Sequence, residues 1–230
     1  MTARSATYFP RSKNAYVPSM SYSADVQIGQ PYVADFGAPA TASTTGIFSA
    51  LTIGSTAKVF TSANWAAAFL ALTTQVGMLD APYGRNIQAT GNASTDQVVT
   101  ITGRDYLGQP MKENITLAGA ATIAGKKAFK WVDRVDVTVG TGGTTLSLGW
   151  GDVLGLPYRA IGAVTSIEDE IAATAGTFVA GAASTTTQTA TTADPRGTID
   201  FNSASNGTKK FKFAYLVDEA NMHGNRQFFA

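Results

Sequence analysis

Apolar and polar side chains alternate most clearly from Trp131 to Val139. Val135, Val137 and Val139 fall on one side, and Arg134, Asp136 and Thr138 on the other. A period of two is the trace that a half-buried strand leaves in a sequence. Phe211, Phe213 and Tyr215 repeat it, with Lys210 and Lys212 opposite. Gln97–Gly103 is a third strand, rich in the β-branched residues that suit a pleated surface. Asn86–Thr90, Met111–Leu117 and Thr177–Gly181 are further candidates, and Leu146, Leu148 and Trp150 share a face of another. Turn residues separate these runs. Thr141-Gly142-Gly143-Thr144 predicts a hairpin between the strands on either side of it. Gly108-Gln109-Pro110, Asp194-Pro195-Arg196-Gly197 and Asn206-Gly207 predict turns, the last ahead of the final strand. Short strands at roughly 8–12-residue spacing indicate a sandwich or small barrel. The chain is therefore read as mainly β, with a β-sandwich or jelly-roll-like core.

The ends lack this periodicity. Residues 1–30 read as an extended arm, since Pro10 and Pro18 interrupt any helix and no period is sustained. Residues 31–220 form the β-rich core domain, and 221–230 a C-terminal tail. Tyr8, Phe9, Tyr16 and Tyr22 make the first arm unusually aromatic, and Phe228 and Phe229 do the same for the tail. Two readings of the arm stand: a solvated tail, or a segment that packs its aromatics onto a neighbouring subunit. Arg4, Arg11 and Lys13 against Asp25 give it a mild positive bias. One helical turn is expected within the core, over the Ala-rich stretch Asn64 to Leu72, capped by Ser62 or Asn64.

Composition narrows the function classes. The 230 residues carry 17 Lys plus Arg and 16 Asp plus Glu, a balance of +1, and charged residues are only 14% of the chain. Nucleic-acid binding would call for clustered basic charge, so that class is set aside. Small neutral residues supply the missing polarity, with 31 Thr and 37 Ala beside 23 Gly. Zero Cys excludes disulfides, thiolate metal sites and a cysteine nucleophile, and one His leaves most acid–base chemistry without a carrier. No catalytic residue, metal or cofactor is expected. Met1–Met20 has no apolar segment of the secretory kind, and Trp65–Leu72 is far shorter than a membrane span. No membrane is expected as a partner.

Motif chemistry is equally sparse. Gly119-Ala120-Ala121-Thr122-Ile123-Ala124-Gly125-Lys126-Lys127 comes nearest to a phosphate loop. It has five residues between its glycines where the pattern needs four, and Lys127 stands where a hydroxyl should bind Mg²⁺. A hairpin turn accounts for it better. Glu168-Asp169-Glu170 reads as a solvated tip, because consecutive side chains do not face one another. His223 lies among Gly and Asn without a carboxylate beside it.

Three stretches carry a resemblance: Asp80-Ala81-Pro82-Tyr83-Gly84-Arg85-Asn86-Ile87, Val99 to Glu113 with Gly103-Arg104-Asp105-Tyr106-Leu107-Gly108-Gln109-Pro110-Met111-Lys112-Glu113 at its centre, and Gly125 to Lys130. With Asp194-Pro195-Arg196-Gly197-Thr198 through Phe211, similar to the final hairpin of such proteins, they span roughly 80–226. The chain resembles virion structural proteins of tailed bacteriophages, encoded close to the major capsid protein. The resemblance implies a non-enzymatic role, with head decoration (cement) the best placement. It also implies contacts with the major capsid protein and with copies of itself as a homotrimer, on the phage head surface, after assembly in the bacterial cytoplasm. Low charge and aromatic arms suit such interfaces. Tyr8, Phe9, Arg11, Tyr16, Tyr22, Arg85, Arg104, Phe228 and Phe229 are the candidate contacts. A tail-tube or head–tail connector role, and a carbohydrate-binding module on a head fibre or tail, are the alternatives. The last would use Trp65, Trp131 or Trp150, although Trp131 and Trp150 lie in strands whose pattern favours the core.

Overall fold

Fourteen strands are ordered along the described part of the chain in a computed structural model, which describes residues 30–73, 75–92, 97–138, 144–182 and 194–224. They are β1 (Gln30–Gly37), β2 (Ser43–Thr52), β3 (Lys58–Phe60), β4 (Arg85–Gly91), β5 (Gln97–Arg104), β6 (Pro110–Leu117) and β7 (Thr122–Phe129). Then follow β8 (Trp131–Val137), β9 (Thr145–Gly155), β10 (Ala160–Glu168), β11 (Ile171–Ala173), β12 (Thr177–Ala180), β13 (Gly197–Asp200) and β14 (Phe211–Val217). All the pairings between them are antiparallel. The protein is mainly β and sandwich-like, as its alternation predicts.

Three sheets result. The first runs β1-β14-β10-β11, the second β12-β13-β9-β4-β7 with β2 also on β9, and the third β3-β8-β5-β6. The second lies at the centre of the packing. Its strand β9 pairs along one edge with β4; along the other it pairs with β2 through Trp150, Leu148 and Leu146, then with β13 through Leu154 and Gly155. Two apolar clusters follow. Ile47, Ile87, Val99, Ile101, Val135 and Leu148 join the second and third sheets. Phe36, Leu154, Ile199, Phe211, Phe213 and Tyr215 join the first and second.

The periodic strands stand as read. In β14, Phe211, Phe213 and Tyr215 are fully buried while Lys212 stays partly exposed, and in β8 Val135 and Val137 are buried between exposed Arg134 and Thr138. Val139 lies outside the described residues. Trp65 and Trp150 are core residues. Trp131 is half-buried, its indole N–H donating to Gln75 Oε1.

Several local expectations do not hold. β8 and β9, expected as a hairpin around Thr141–Thr144, belong to different sheets, so their connection passes from the third to the second. The Gly119 region turns the chain but makes no hairpin: β6 lies in the third sheet and β7, which contains Gly125 to Lys127, in the second. Likewise β13 and β14 lie in different sheets and are not a final hairpin. Gly-rich turns report reversal of the chain; they carry no information on which sheet receives the next strand. A two-residue hairpin lies elsewhere. Asp169 and Glu170, both with positive φ (49° and 66°), connect β10 to β11. That is the left-handed pair a two-residue turn needs.

The expected helix resolves into a 3-10 turn, Ser62–Asn64, and one α-turn, α1 (Ala67–Leu70). Thr61, not Ser62 or Asn64, is the leading cap residue, and its N–H donates to Asn64 Oδ1. The core boundaries also shift. Gln30 pairs with Val217 and so belongs to the sheet. At the other end the Asp218-capped turn Glu219–Asn221 and Met222 pack back, the Met222 carbonyl accepting from the Arg159 N–H at 2.7 Å.

The register predicts a contrast at neighbouring positions. Val137→Asp places an unpaired carboxylate among Val135, Val99 and their neighbours, and costs several kcal/mol. Thr138→Asp faces solvent and keeps an acceptor for the Val98 N–H that Thr138 Oγ1 now receives; it changes stability by about 0.5 kcal/mol or less. Urea unfolding of the two variants measures both, and similar losses would overturn the register.

Candidate functional site

Several residues of the stretches that carry the resemblance are buried polar groups, and they form the parts of a polar seam. Asp105 lies just past β5. Its Oδ1 accepts from the Leu107 and Gln109 N–H groups at 2.9 and 2.8 Å, closing the turn that Gly108 allows. Its Oδ2 takes the Arg196 Nη1 at 2.6 Å, and both side chains are almost wholly buried. Arg196 Nε donates to the Leu156 carbonyl, and the guanidinium lies 4.8 Å over the Tyr106 ring. Asp194, two residues before it, accepts from the Arg196 N–H with one oxygen and from Ala128 N–H in β7 with the other. The Asp-Pro-Arg-Gly turn is thereby fixed to both β7 and the end of β5.

Glu113 forms the next part of the seam. It falls on the inward side of β6, where alternation calls for an apolar residue, and is fully buried. Its carboxylate accepts from the Lys126 N–H at 2.6 Å and the Lys127 N–H at 3.4 Å. Gly125 is required beside it, since a Cβ there would lie 2.4 Å from Glu113 Oε2. The amides of the loop-like Gly-Lys-Lys run thus hold the chain's own carboxylate. Burial pushes Glu113 up to about 7, outweighing both amides and the Lys127 charge. Lys127 and Lys130 are both pushed down by burial; Lys127 Nζ donates to the Lys112 carbonyl, and Lys130 Nζ to the Leu79 and Ala81 carbonyls.

Arg85 closes the seam. Its side chain is 0% exposed and every nitrogen is used: Nε on the Gly151 carbonyl, Nη1 on the Ala40 carbonyl and Asp80, Nη2 on Asp152. Read from its flanking Gly84 as a contact residue, it presents nothing at the surface for a partner. Arg104 differs. It is 43% exposed, doubly hydrogen-bonded to Asp133 at 3.0 and 2.9 Å, and 5.0 Å over the Trp131 ring. It remains a surface residue on the third sheet. Tyr8, Phe9, Arg11, Tyr16, Tyr22, Phe228 and Phe229 lie outside the described residues.

The acidic tip is also engaged. Glu168 pairs with Lys209, Glu170 with Lys212, and Asp169 Oδ1 accepts the Lys210 N–H, so the three carboxylates fasten the chain entering β14. His223 is exposed in the last described turn. Among the described residues no group of three His, Asp or Glu is arranged to hold a metal ion, and no helix is long and apolar enough to cross a membrane. What the seam can do is mechanical: its donors and acceptors are spent on locking β4, β6, β7 and the 194–197 turn together. Sequence reasoning missed the Asp105–Arg196 and Glu113–amide pairs. The Asp105-x-x-Gly-Gln pattern, a side-chain-closed turn, was the available signal for the first.

No family model matches the chain, and neither a curated protein nor a solved structure does.

Two outcomes are expected of the seam. Asp105→Ala strands a buried guanidinium and opens its own turn, at a cost of about 3–5 kcal/mol. Arg104→Ala, at an exposed pair, costs about 1 kcal/mol or less. Chemical denaturation of both variants compares them; equal losses would remove the seam's special standing. Glu113 gives a pH signature. A carboxyl whose folded value is raised stabilises fully below its unfolded value, and loses that contribution as pH rises through the folded one. Stability should therefore fall by about 3 kcal/mol between roughly pH 4.5 and 7. Asp194, also pushed up by burial, acts in the same sense. In Glu113→Gln the slope over that window should flatten, and an unchanged slope in thermal melts would assign it to other groups.

Proposed function

We propose that this chain is a non-enzymatic structural protein of a tailed-phage virion, acting as a head decoration (cement) protein that bridges neighbouring capsomers. The observation that carries the reading is the convergence of the resembling stretches. Asn86 Nδ2 with the Gly125 carbonyl, Asp105 with Arg196, and Glu113 with the Lys126 and Lys127 amides tie the four stretches to one another. A similarity confined to unrelated turns would not be tied together in this way. Two further features support the reading. A locked β scaffold keeps its shape while many copies load it, and the 14% charged content suits extensive contact with copies of itself and with the major capsid protein. The aromatic sequences of residues 1–29 and 225–230 suit subunit contacts. Arg104 remains a contact candidate on geometric grounds, and Arg85 is withdrawn from that set. The homotrimer at local three-fold positions belongs to the same proposal.

Mass action supplies the test. A protein that binds only the assembled lattice stabilises that lattice by its binding free energy, and many bridging copies multiply a modest contact. Particles lacking the protein should assemble with tails but release DNA at a lower temperature than complete ones. Particles whose copies lack residues 1–29 should fall between; the truncation stops there because Gln30 belongs to β1. Immunolabel should decorate heads in negative stain. Label on tails, or particles that cannot join tails while their heads release DNA normally, would favour the tube or connector role.

A further inference from the structure

We propose that a hollow on the second sheet is a site for a small zwitterion, a molecule carrying an ammonium and a carboxylate on a short carbon chain. The hollow holds about 260 Å³. That is below the ~300–1,000 Å³ of sites for drug-sized ligands, so the occupant is small. Register fixes which side chains face it. Thr177 lies opposite Asp200, Val179 opposite Thr198, and Asp200 opposite Val153, so the five share one face of β12, β13 and β9. The residues between them, Phe178, Ile199 and Leu154, belong to the apolar cluster on the other face. All five line the hollow, and Gly125 and Lys126 of β7 complete the lining.

The polar groups on this face are unpaired. Thr198 is only 2% exposed, yet its hydroxyl makes no hydrogen bond and is not sealed from solvent. The half-buried Asp200 has no hydrogen bond or ion pair at its carboxylate, and burial, then Asp152, push that carboxyl up with no donor to offset them. Lys126 donates its N–H to Glu113 Oε1, but its exposed ammonium has no partner. One hollow thus presents a carboxylate and an ammonium that do not pair with each other. A partly desolvated charge gains most from a hydrogen-bonded group of opposite sign. A simple amine would set a like charge beside Lys126, and a simple carboxylate would do the same at Asp200. A neutral polyol could use the two threonine hydroxyls and would leave both charges unpaired. A zwitterion answers both. Its ammonium, with three donors, meets Asp200 and the Thr177 and Thr198 hydroxyls, while Val153 and Val179 offer apolar contact to its carbon chain.

The inference does not rest on the virion reading, and its test needs no particle. The probes are glycine, 4-aminobutanoate and 6-aminohexanoate, which set the two charges at increasing separation. Butylamine and butanoate are the single-charge counterparts. Each is titrated into the full chain and followed by the NMR shifts of the Val153 and Thr198 amides. At least one zwitterion should bind in a saturable phase, and both single-charge compounds about tenfold or more weakly than it. Asp200→Asn should weaken the zwitterion by a similar factor and spare butanoate. Lys126→Gln, at an exposed side chain whose backbone N–H still serves Glu113, should weaken the zwitterion and spare butylamine. A general loss of structure would not divide the two variants by charge in this way. No saturable shift with any of the three zwitterions would overturn the proposal. So would a single-charge compound that binds as tightly as the best of them, or unchanged zwitterion affinity in Lys126→Gln.

Discussion

A buried guanidinium cannot be left partly solvated by nothing, and two of them organise this fold. Removing an ion from water costs several kcal/mol even after relaxation, so each must find its full complement of acceptors inside the protein. Arg85 finds them on two carboxylates and two carbonyls, contributed by residues 40, 80, 151 and 152. Arg196 finds its own on Asp105 and the Leu156 carbonyl. Both sets exist only when strands from distant parts of the chain are in register. The apolar clusters could tolerate small slips. The guanidinium sets could not, because a slip would strand a charge.

The seam also explains how two apolar clusters share one central sheet. β9 changes partner along one edge, from β2 to β13, and at that change the backbone of Gly151 and the side chain of Asp152 turn to Arg85. Gly103 shows the same closeness across the third sheet. A Cβ there would lie 2.1 Å from the Trp131 carbonyl, at the register shift between Thr102 and Gly103 against β8. The glycine lets β8 bend, and the bend leaves the Lys130 amide on the Arg104 carbonyl and its ammonium among the Leu79 and Ala81 carbonyls. Irregularity and buried charge are thus placed together.

What could be read in the sequence was local. Strands β5, β8 and β14 announce themselves by alternation, because burial on one face imposes a period of two whatever the partner strand is. Partnership is not periodic. The turn signals at Thr141–Thr144 and Asn206-Gly207 said nothing about β8 and β9, or β13 and β14, parting into different sheets. Arg85 was misplaced for a related reason. Charge next to glycine suggests a surface turn, and only the arrival of Asp80 and Asp152 from elsewhere makes burial affordable. Glu113 shares the inward side of β6 with Met111, Ile115 and Leu117, and what makes a carboxyl tolerable there, the Lys126 and Lys127 amides, comes from another strand.

The division between seam and surface bears on where a partner would engage. The sequence pattern of residues 80–130 and 194–211 is consumed inside the molecule, so it specifies architecture more than contact. The first sheet has the complementary character. Val33, Ile161, Val164 and Ile171 are exposed on it, as Val59 and Val179 are on the other two sheets. Strand β1 adds an edge to this sheet and pairs, among the described residues, with β14 alone. A hollow lined in part by Tyr32, Tyr158 and Val217 opens at the end of the same strand, where Gln30 begins the described chain. Exposed apolar side chains thus recur on the first sheet, and the third carries Arg104, held by Asp133 and Trp131. The buried charges are spent on holding the sheets together, so a partner can reach only what those sheets leave exposed.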